Sequence, residues 1–359
     1  MSTIKIAHAS DLHCSERHRL DDWRQLHRTM VEQMEAAGVE LILLAGDLFH
    51  ARSTPAERNA MAEFMLNAAG LCPVVIVKGN HDAAGDLDIF HHLGPDAWID
   101  VMDRPGMKVI PTDTEVALIA LPWFDKAQLA ATFGPEDDAQ TTTNATVEAA
   151  RQLLTVLRAH ATEARAAGAL PILCGHVMLG GSVVSTGQVL IGQGVELSPS
   201  DILDVGAEYA ALGHIHKAQE WFNGKVAYAG STWRQNFGEA EPKGWRLVTI
   251  HDGRSAGAEF VELPARKNVL LEESDGTAID PNNFVPSNID GALVRLRYHV
   301  RAQDLALVNE DALRATLLSA GAAEVKLEAI VEQEIRQRAP QIVSARTTWE
   351  KGGAWLEAK

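Results

Sequence analysis

The chain has 359 residues, 46% of them apolar, which allows one large domain plus a smaller one and excludes global disorder. Its 32 Lys and Arg stand against 48 Asp and Glu, a net charge of −16, which argues against a general electrostatic grip on nucleic acid. It leaves room for a nuclease whose metal ions and one local basic face meet the phosphates.

No apolar run reaches the roughly 18 residues of a membrane span, and Met1-Ser2-Thr3-Ile4-Lys5 lacks a signal peptide's pattern. Cys14, Cys72 and Cys174 are far apart, against a disulfide framework or a cysteine zinc site. A cytoplasmic protein is expected.

In chain order, Ile4 to Ala9 alternates like a strand and ends in Ser10-Asp11-Leu12-His13. Leu20, Trp23, Met30 and Met34 follow at helical spacing, with Gly38 placed to stop the helix. Leu41 to Ala45 is a continuous apolar run, typical of a strand covered on both faces, and ends in Gly46-Asp47-Leu48-Phe49-His50. Thr54-Pro55-Ala56-Glu57 carries a capping box with proline at the first helical position, opening a helix to about Gly70. Pro73 to Lys78 is the next strand and delivers Gly79-Asn80-His81-Asp82. The order β-α-β-α-β, with polar clusters at strand C-termini, is the arrangement in which open α/β sheets bind ligands.

Val116 to Leu121 reads as a strand before Pro122-Trp123-Phe124, and 135–146 as a polar loop before a helix over Val147 to Ala167. Pro171 to Cys174 is a strand ending in Gly175-His176. The glycine-rich 180–194 reads as a mobile loop. Tyr209 to Leu212 ends in Gly213-His214-Ile215-His216, and Asn223-Gly224 marks a hairpin. Trp245 to Ile250 and Ala258 to Leu263 read as antiparallel strands. The pattern then changes, placing a boundary at Pro264 to Lys267. The remainder reads β-β-α-β: Val269 to Glu273, Ala292 to Val300, a helix over Asn309 to Ala320, and Glu324 to Val331. The expected division is 1–265, 266–331 and a tail or helix over 332–359.

The strand tips collect Asp11, His13, Asp47, His50, Asn80, His81, Asp82, His176, His214 and His216. Hard oxygens mixed with imidazoles, without thiolates, suit divalent manganese, iron or zinc. The donors are too many for one tetrahedral ion and suit two, about 3.5–4 Å apart and bridged by a carboxylate. His8, His91, His92 and His160 fall outside the pattern and read as structural.

In this order the motifs DxH, GDxxxH, GNHD, GH and GHxH resemble the calcineurin-like metallophosphoesterase superfamily. Gly46-Asp47-Leu48-Phe49-His50, Leu121-Pro122-Trp123 and the stretch from Ala229 to Glu239, AGSTWRQNFGE, resemble one branch, the SbcD-type nuclease subunits of SbcCD-type double-strand-break repair complexes. The likeness covers roughly residues 1 to 250. It implies an α/β fold: a β-sandwich flanked by helices in four layers (α/β/β/α), with a smaller C-terminal α+β capping domain that holds DNA. Asp11, His13 and His216 would bind one ion, Asn80, His176 and His214 the other, and Asp47 would bridge both. Manganese is the expected metal. His81 would act near the scissile phosphate, with Asp82 orienting its ring, and His50 would position DNA for exonuclease action. The implied reaction is phosphodiester hydrolysis in DNA repair or recombination, by in-line attack of a hydroxide activated by the ion pair. The implied partners are DNA, an SbcC-type ABC ATPase with a long coiled coil, met through Gln333 to Lys359, and a second copy of the chain.

Across 292–300, Ala292, Val294, Leu296, Tyr298 and Val300 share one face, while Arg295, Arg297 and His299, extended by Arg301, share the other. That basic row suits phosphate contact; an ordinary solvated strand face is the alternative. Competing functions are a phosphodiesterase or phosphatase acting on a small nucleotide or phosphoprotein, and a non-catalytic metal-binding accessory subunit.

Overall fold

The computed structural model describes residues 3–93, 98–124, 139–186, 188, 190, 196–252, 254–284, 286–332 and 347–351. Residues 135–138 of the expected polar loop, much of 180–194 and most of the tail after 332 lie outside the described residues. The chain divides into two compact units, Met1–Arg266 and Lys267–Lys359.

The first unit is built on two six-stranded sheets. β1 (Thr3–Ala9), β2 (Leu41–Ala45), β3 (Val74–Val77) and β4 (Ile99–Met102) run parallel. In the second sheet β5 (Gly106–Ile110) pairs antiparallel with β6 (Val116–Leu121), which runs parallel to β7 (Leu170–His176). β10 (Tyr209–Gly213) lies beside β7 and is followed by the hairpin of β11 (Gln219–Trp221) and β12 (Val226–Tyr228). The short β8 (Met178–Leu179) and β9 (Glu196–Leu197) pair apart from both sheets. β13 (Gly244–His251) returns antiparallel to β1, with β14 (Arg254–Glu262) at its edge.

Each inner strand is apolar on both faces because each face meets a different layer. Leu41 and Leu43 join Ile4, Ile6, Val75 and Val77 in a core between the sheets, opposite Val116, Leu118 and Ile172. Ile42 and Leu44 point the other way, under Trp23, Met30 and Phe64 of the helices α1 (Leu20–Ala37) and α2 (Pro55–Ala69). Ile119, Leu173 and Leu212 likewise pack under Leu154 and Leu157 of α3 (Ala139–Ala166). The result is the expected α/β/β/α sandwich. α1 stops at Gly38, whose φ of 69° is the left-handed conformation glycine adopts without strain. α2 opens with the Thr54–Glu57 capping box.

Some boundaries differ from expectation. α3 begins at Ala139, so residues 139–146, expected as loop, are helical. β4 and β5 were not anticipated: one is half-buried along its length and the other mixes half-buried, exposed and buried residues, so neither carries a continuous apolar signature. Among the described residues no helix is long and apolar enough to cross a membrane.

The second unit holds three parallel strands, β15 (Asn268–Glu273), β16 (Leu293–Arg301) and β17 (Glu324–Glu332), backed by a helix (Glu310–Ser319). Val294, Leu296, Tyr298 and Val300 are buried in its core, as their alternation predicted. The opposite row faces acidic neighbours. Arg295 and Arg297 both grip Glu328, at 2.6 and 2.9 Å, Arg297 also faces Glu272 at 3.6 Å, His299 faces Glu332 at 3.5 Å and Arg301 binds Asp304 at 2.6 Å. The parallel register sets Glu272 and Glu328 on either side of Arg297. The row is an ion-pair ladder, with Glu272, Glu328 and Glu332 supplied by the neighbouring strands and Asp304 by the turn after β16.

Candidate metal centre

The C-terminal ends of β1, β2, β3, β7 and β10 meet along one edge of the sandwich and carry the donors there. Asp11 and His13 follow β1, Asp47 follows β2, Asn80 follows β3, His176 ends β7, and His214 and His216 follow β10. Asp11, His13, Asp47 and His214 sit at φ of 54°, 40°, 55° and 108°. For non-glycine residues that costs roughly 1–3 kcal/mol each, and it persists only where surroundings over-determine it. Glycine is required where the strand ends touch. A Cβ on Gly79 would lie 2.2 Å from Asp47 Oδ1, and one on Gly213 1.9 Å from the Ala45 carbonyl oxygen.

The structure brings all seven sequence-predicted ligands together, in two sets. In one, His13 Nε2 lies 3.2 Å from His216 Nε2 and 3.9 Å from Asp11 Oδ1, with His216 Nε2 4.0 Å from the same oxygen. In the other, Asn80 Oδ1 lies 2.9 Å from His176 Nε2 and 3.0 Å from His214 Nδ1. Asp47 Oδ2 stands between the sets, 3.6 Å from His13 Nε2 and 3.4 Å from His176 Nε2.

This donor set fits cations. His176 donates its Nδ1–H to the Ala45 carbonyl at 2.7 Å, which leaves the Nε2 lone pair facing the Asn80 and Asp47 oxygens. Three acceptors converging in a buried place repel one another unless a proton or a metal lies among them. Nitrogens on one ion with bonds of about 2.1 Å are spaced about 3–3.4 Å apart, as the His13 and His216 nitrogens are.

The electrostatics agree. Burial disfavours charge on His176, but Asp47 and Asp11 outweigh it and lift the imidazole to about 9. Burial alone would raise Asp47; His176 and then His13 hold it well below the usual carboxylate range. Burial pushes Asp11 up. Burial holds His13 well below an ordinary histidine, and burial with the nearby His176 lowers His214 to about 3, so both offer neutral lone pairs.

The expected catalytic residues divide. His81 donates Nδ1–H to the His50 carbonyl at 2.6 Å, and its ring lies 4.7 Å from that of His13. The His50 ring lies 5.6 Å from His81 and 5.3 Å from His18. Asp82 does not orient His81, which corrects the expectation. Its carboxylate accepts backbone N–H groups of Asp47, Leu48, Phe49 and Gly79 at 3.0, 2.9, 3.2 and 2.9 Å. Asp82 therefore frames the strained turn that carries Asp47, and the His50 carbonyl orients His81. Arg295, Arg297, His299 and Arg301 belong to the second unit's ion-pair ladder.

Sequence reasoning missed four residues. Glu239 accepts from His216 Nδ1 at 3.2 Å. Gln188 clamps the ligand loop, donating to the His214 carbonyl at 2.6 Å and accepting from His216 N–H at 3.1 Å. Trp123 lies 4.8 Å from the His214 ring. His18 extends the histidine row beyond His50. Trp123 and Glu239 lie in stretches already singled out by resemblance; Gln188 and His18 carried no signal. His8 and His27 are core histidines with both ring nitrogens engaged.

Residues 4–218 match the family model for calcineurin-like phosphoesterases. A Rhodobacter capsulatus protein, named as the SbcD component of the nuclease SbcCD, is 28% identical over 308 residues, covering 77% of this chain and 73% of that one. Among solved structures, a dimetal phosphatase from Danio rerio is similar at 13% identity and a TM-score of 0.43, over 72% of this chain and 97% of that one. A Thermus thermophilus protein is similar at 13% identity and a TM-score of 0.36, over 64% and 90%. The metallophosphoesterase fold uses divalent metal ions, and the aspartate and histidine clusters here are able to bind them. With a family match over more than half its length, on the sandwich and strand-end donors already described, the chain belongs to the calcineurin-like phosphoesterase family.

Proposed function

We propose that the chain is a DNA nuclease subunit that hydrolyses phosphodiesters with two divalent ions, manganese by preference. The observation that carries this is Asp47 Oδ2 standing between His13 Nε2 and His176 Nε2, with a separate donor set on each side. Asp11, His13 and His216 would hold one ion, Asn80, His176 and His214 the other, and Asp47 would serve both. When bound, such ions neutralise phosphate charge and lower the pKa of a water toward neutrality.

The chain's own residues do the rest. His81 commits Nδ1–H to the His50 carbonyl, which leaves Nε2 to meet the phosphate, hold its developing charge or hand a proton to the leaving oxygen. His50 and His18 continue this imidazole row and give a polynucleotide backbone further contacts. Asp82 and Gln188 hold the ligand-bearing loops in place. Polynucleotide rather than a small ester is the preferred substrate because the Rhodobacter capsulatus relative is named as a nuclease. By its size and place in the chain, the second unit fits a DNA-capping module. The relative's name, which makes it one component of SbcCD, supports the expectation of an SbcC-type ATPase partner.

The test uses labelled double-stranded DNA with manganese, beside bis-p-nitrophenyl phosphate, for wild type and His81→Ala. The expected result is cleavage of both substrates by wild type and loss of both in the variant. Cleavage of the small ester but never of DNA would overturn the nuclease reading in favour of a small-molecule phosphodiesterase. No metal-dependent activity on either would favour an accessory subunit.

A further inference from the structure

Beside the donor cluster lies an ion pair that the ligand set does not explain. The side chains of Glu239 and Lys243 are fully buried, with Lys243 Nζ 2.8 Å from a Glu239 oxygen and 2.8 Å from Glu241 Oε1. Burying such a pair costs several kcal/mol of desolvation per ion, and apolar residues of similar volume would often stabilise the fold as well or better. Its contacts give it another use. Glu239 Oε1 stands 3.2 Å from His216 Nδ1, and the far nitrogen of the same ring, Nε2, lies 3.2 Å from His13 Nε2. Asn236 Nδ2 donates to Glu239 Oε1 at 2.8 Å and the Gln235 N–H to Oε2 at 3.2 Å, so the carboxylate is held from several sides. Lys243 in turn donates to Ser231 Oγ at 2.8 Å and is 3.4 Å from the His216 carbonyl oxygen.

The two donor sets differ here. His176, in the set with Asn80, leans on a neutral backbone carbonyl, that of Ala45. His216, in the set with Asp11 and His13, leans on a buried carboxylate. A carboxylate behind a ligating imidazole fixes its tautomer and raises its basicity, and losing one typically weakens metal binding 10–100-fold.

We infer that Glu239 is a positioning residue for one ion only, the one assigned to Asp11, His13 and His216. It locks His216 with its proton on Nδ1, so that the Nε2 lone pair faces the donor set. Lys243 matches the carboxylate's charge, and Asn236 and Gln235 fix its direction. The inference rests on the two-ion reading above, and its test separates the two.

Chelator-stripped full-length protein is titrated with manganese by calorimetry. Wild type is expected to take up two ions. Glu239→Gln, which has too few acceptor sites for His216, Lys243, Asn236 and the Gln235 N–H, is expected to weaken one of them by about 10–100-fold and leave the other within about threefold. Equal weakening of both ions, or of neither, overturns the inference. Wild type binding no manganese overturns both the inference and the two-ion reading. A single wild-type ion overturns only the two-ion reading, and the ring's tautomer then decides for Glu239. That tautomer is read from the ¹⁵N-histidine spectrum of the zinc-loaded wild type, which needs no variant to fold. His216 protonated on Nδ1 supports the assignment; His216 protonated on Nε2 overturns it.

Discussion

Replacing Asp82 by Asn should loosen the fold around the site, because Asp82 holds a turn and not a catalytic ring. Its two oxygens receive four backbone N–H groups, those of Asp47, Leu48, Phe49 and Gly79. Hydrogen bonds to a charged acceptor contribute about 1.5 kcal/mol or more each, giving roughly 6 kcal/mol in favour of the carboxylate. Burial and the neighbouring Asp47 push its pKa up to about 6, with N–H groups of Gly79 and Phe49 already working against them. Each oxygen serves two of the four N–H groups. Asn keeps one acceptor oxygen and turns an amide nitrogen toward the other pair, so about half of that sum, roughly 3 kcal/mol, is what it should lose. For a unit of this size that lowers the melting temperature by roughly 6–12 °C. Calorimetric melting of wild type and Asp82→Asn in chelator measures it, and metal analysis of the two proteins purified without chelator should find the Asn variant depleted of ions because Asp47 is no longer held. If melting stays within about 2 °C, metal content is full and only turnover falls, Asp82 acts through His81 after all and the turn-framing account is wrong.

Other expectations follow from the same geometry. Asp47→Ala should lose both ions, whereas His81→Ala should retain them while phosphodiester hydrolysis falls by about 10²–10⁴-fold; elemental analysis beside an ester assay decides, and equal metal retention would contradict the bridging position. Arg295→Ala with Arg297→Ala should leave DNA affinity within about twofold and the salt dependence of binding unchanged, because both guanidinium groups already serve Glu328; a tenfold loss in a filter-binding or anisotropy titration would show the row is a DNA contact. His8 and His27 are held neutral down to about 3, first by burial. An unfolded histidine takes its proton near 6.5, so between about 6.5 and 3 the unfolded chain binds more protons and stability falls as pH falls. Each histidine should cost about 2 kcal/mol between pH 6.5 and 5. Urea unfolding of wild type and His27→Gln at pH 7 and pH 5 measures it, and the variant should lose about 2 kcal/mol less than wild type; an equal loss would refute the assignment.

The layers and the donors were legible because both follow from short-range rules. A strand covered on both faces must be apolar throughout, as Leu41 to Ala45 is, and a polar cluster directly after such a run can only sit at a sheet edge. Four such runs, and the alternating first strand, lead into Asp, Asn or His, so the cluster was visible once the strands were. Which atom each side chain seeks was not legible. Asp82 adjoins His81 in sequence, yet the chain reverses tightly there and turns the carboxylate back to Gly79, three residues away, and to the turn at Asp47–Phe49. Arg297 stands on the outward face its alternation predicts, but its partners Glu272 and Glu328 are set by strand register, to which periodicity along one strand is blind. Glu239 lies 23 residues from His216 in an irregular segment with no period at all. A pattern along the chain therefore says where charge will stand and on which face; across a sheet or between loops, only the fold decides whether that charge is spent on a substrate, a metal ligand or the protein itself.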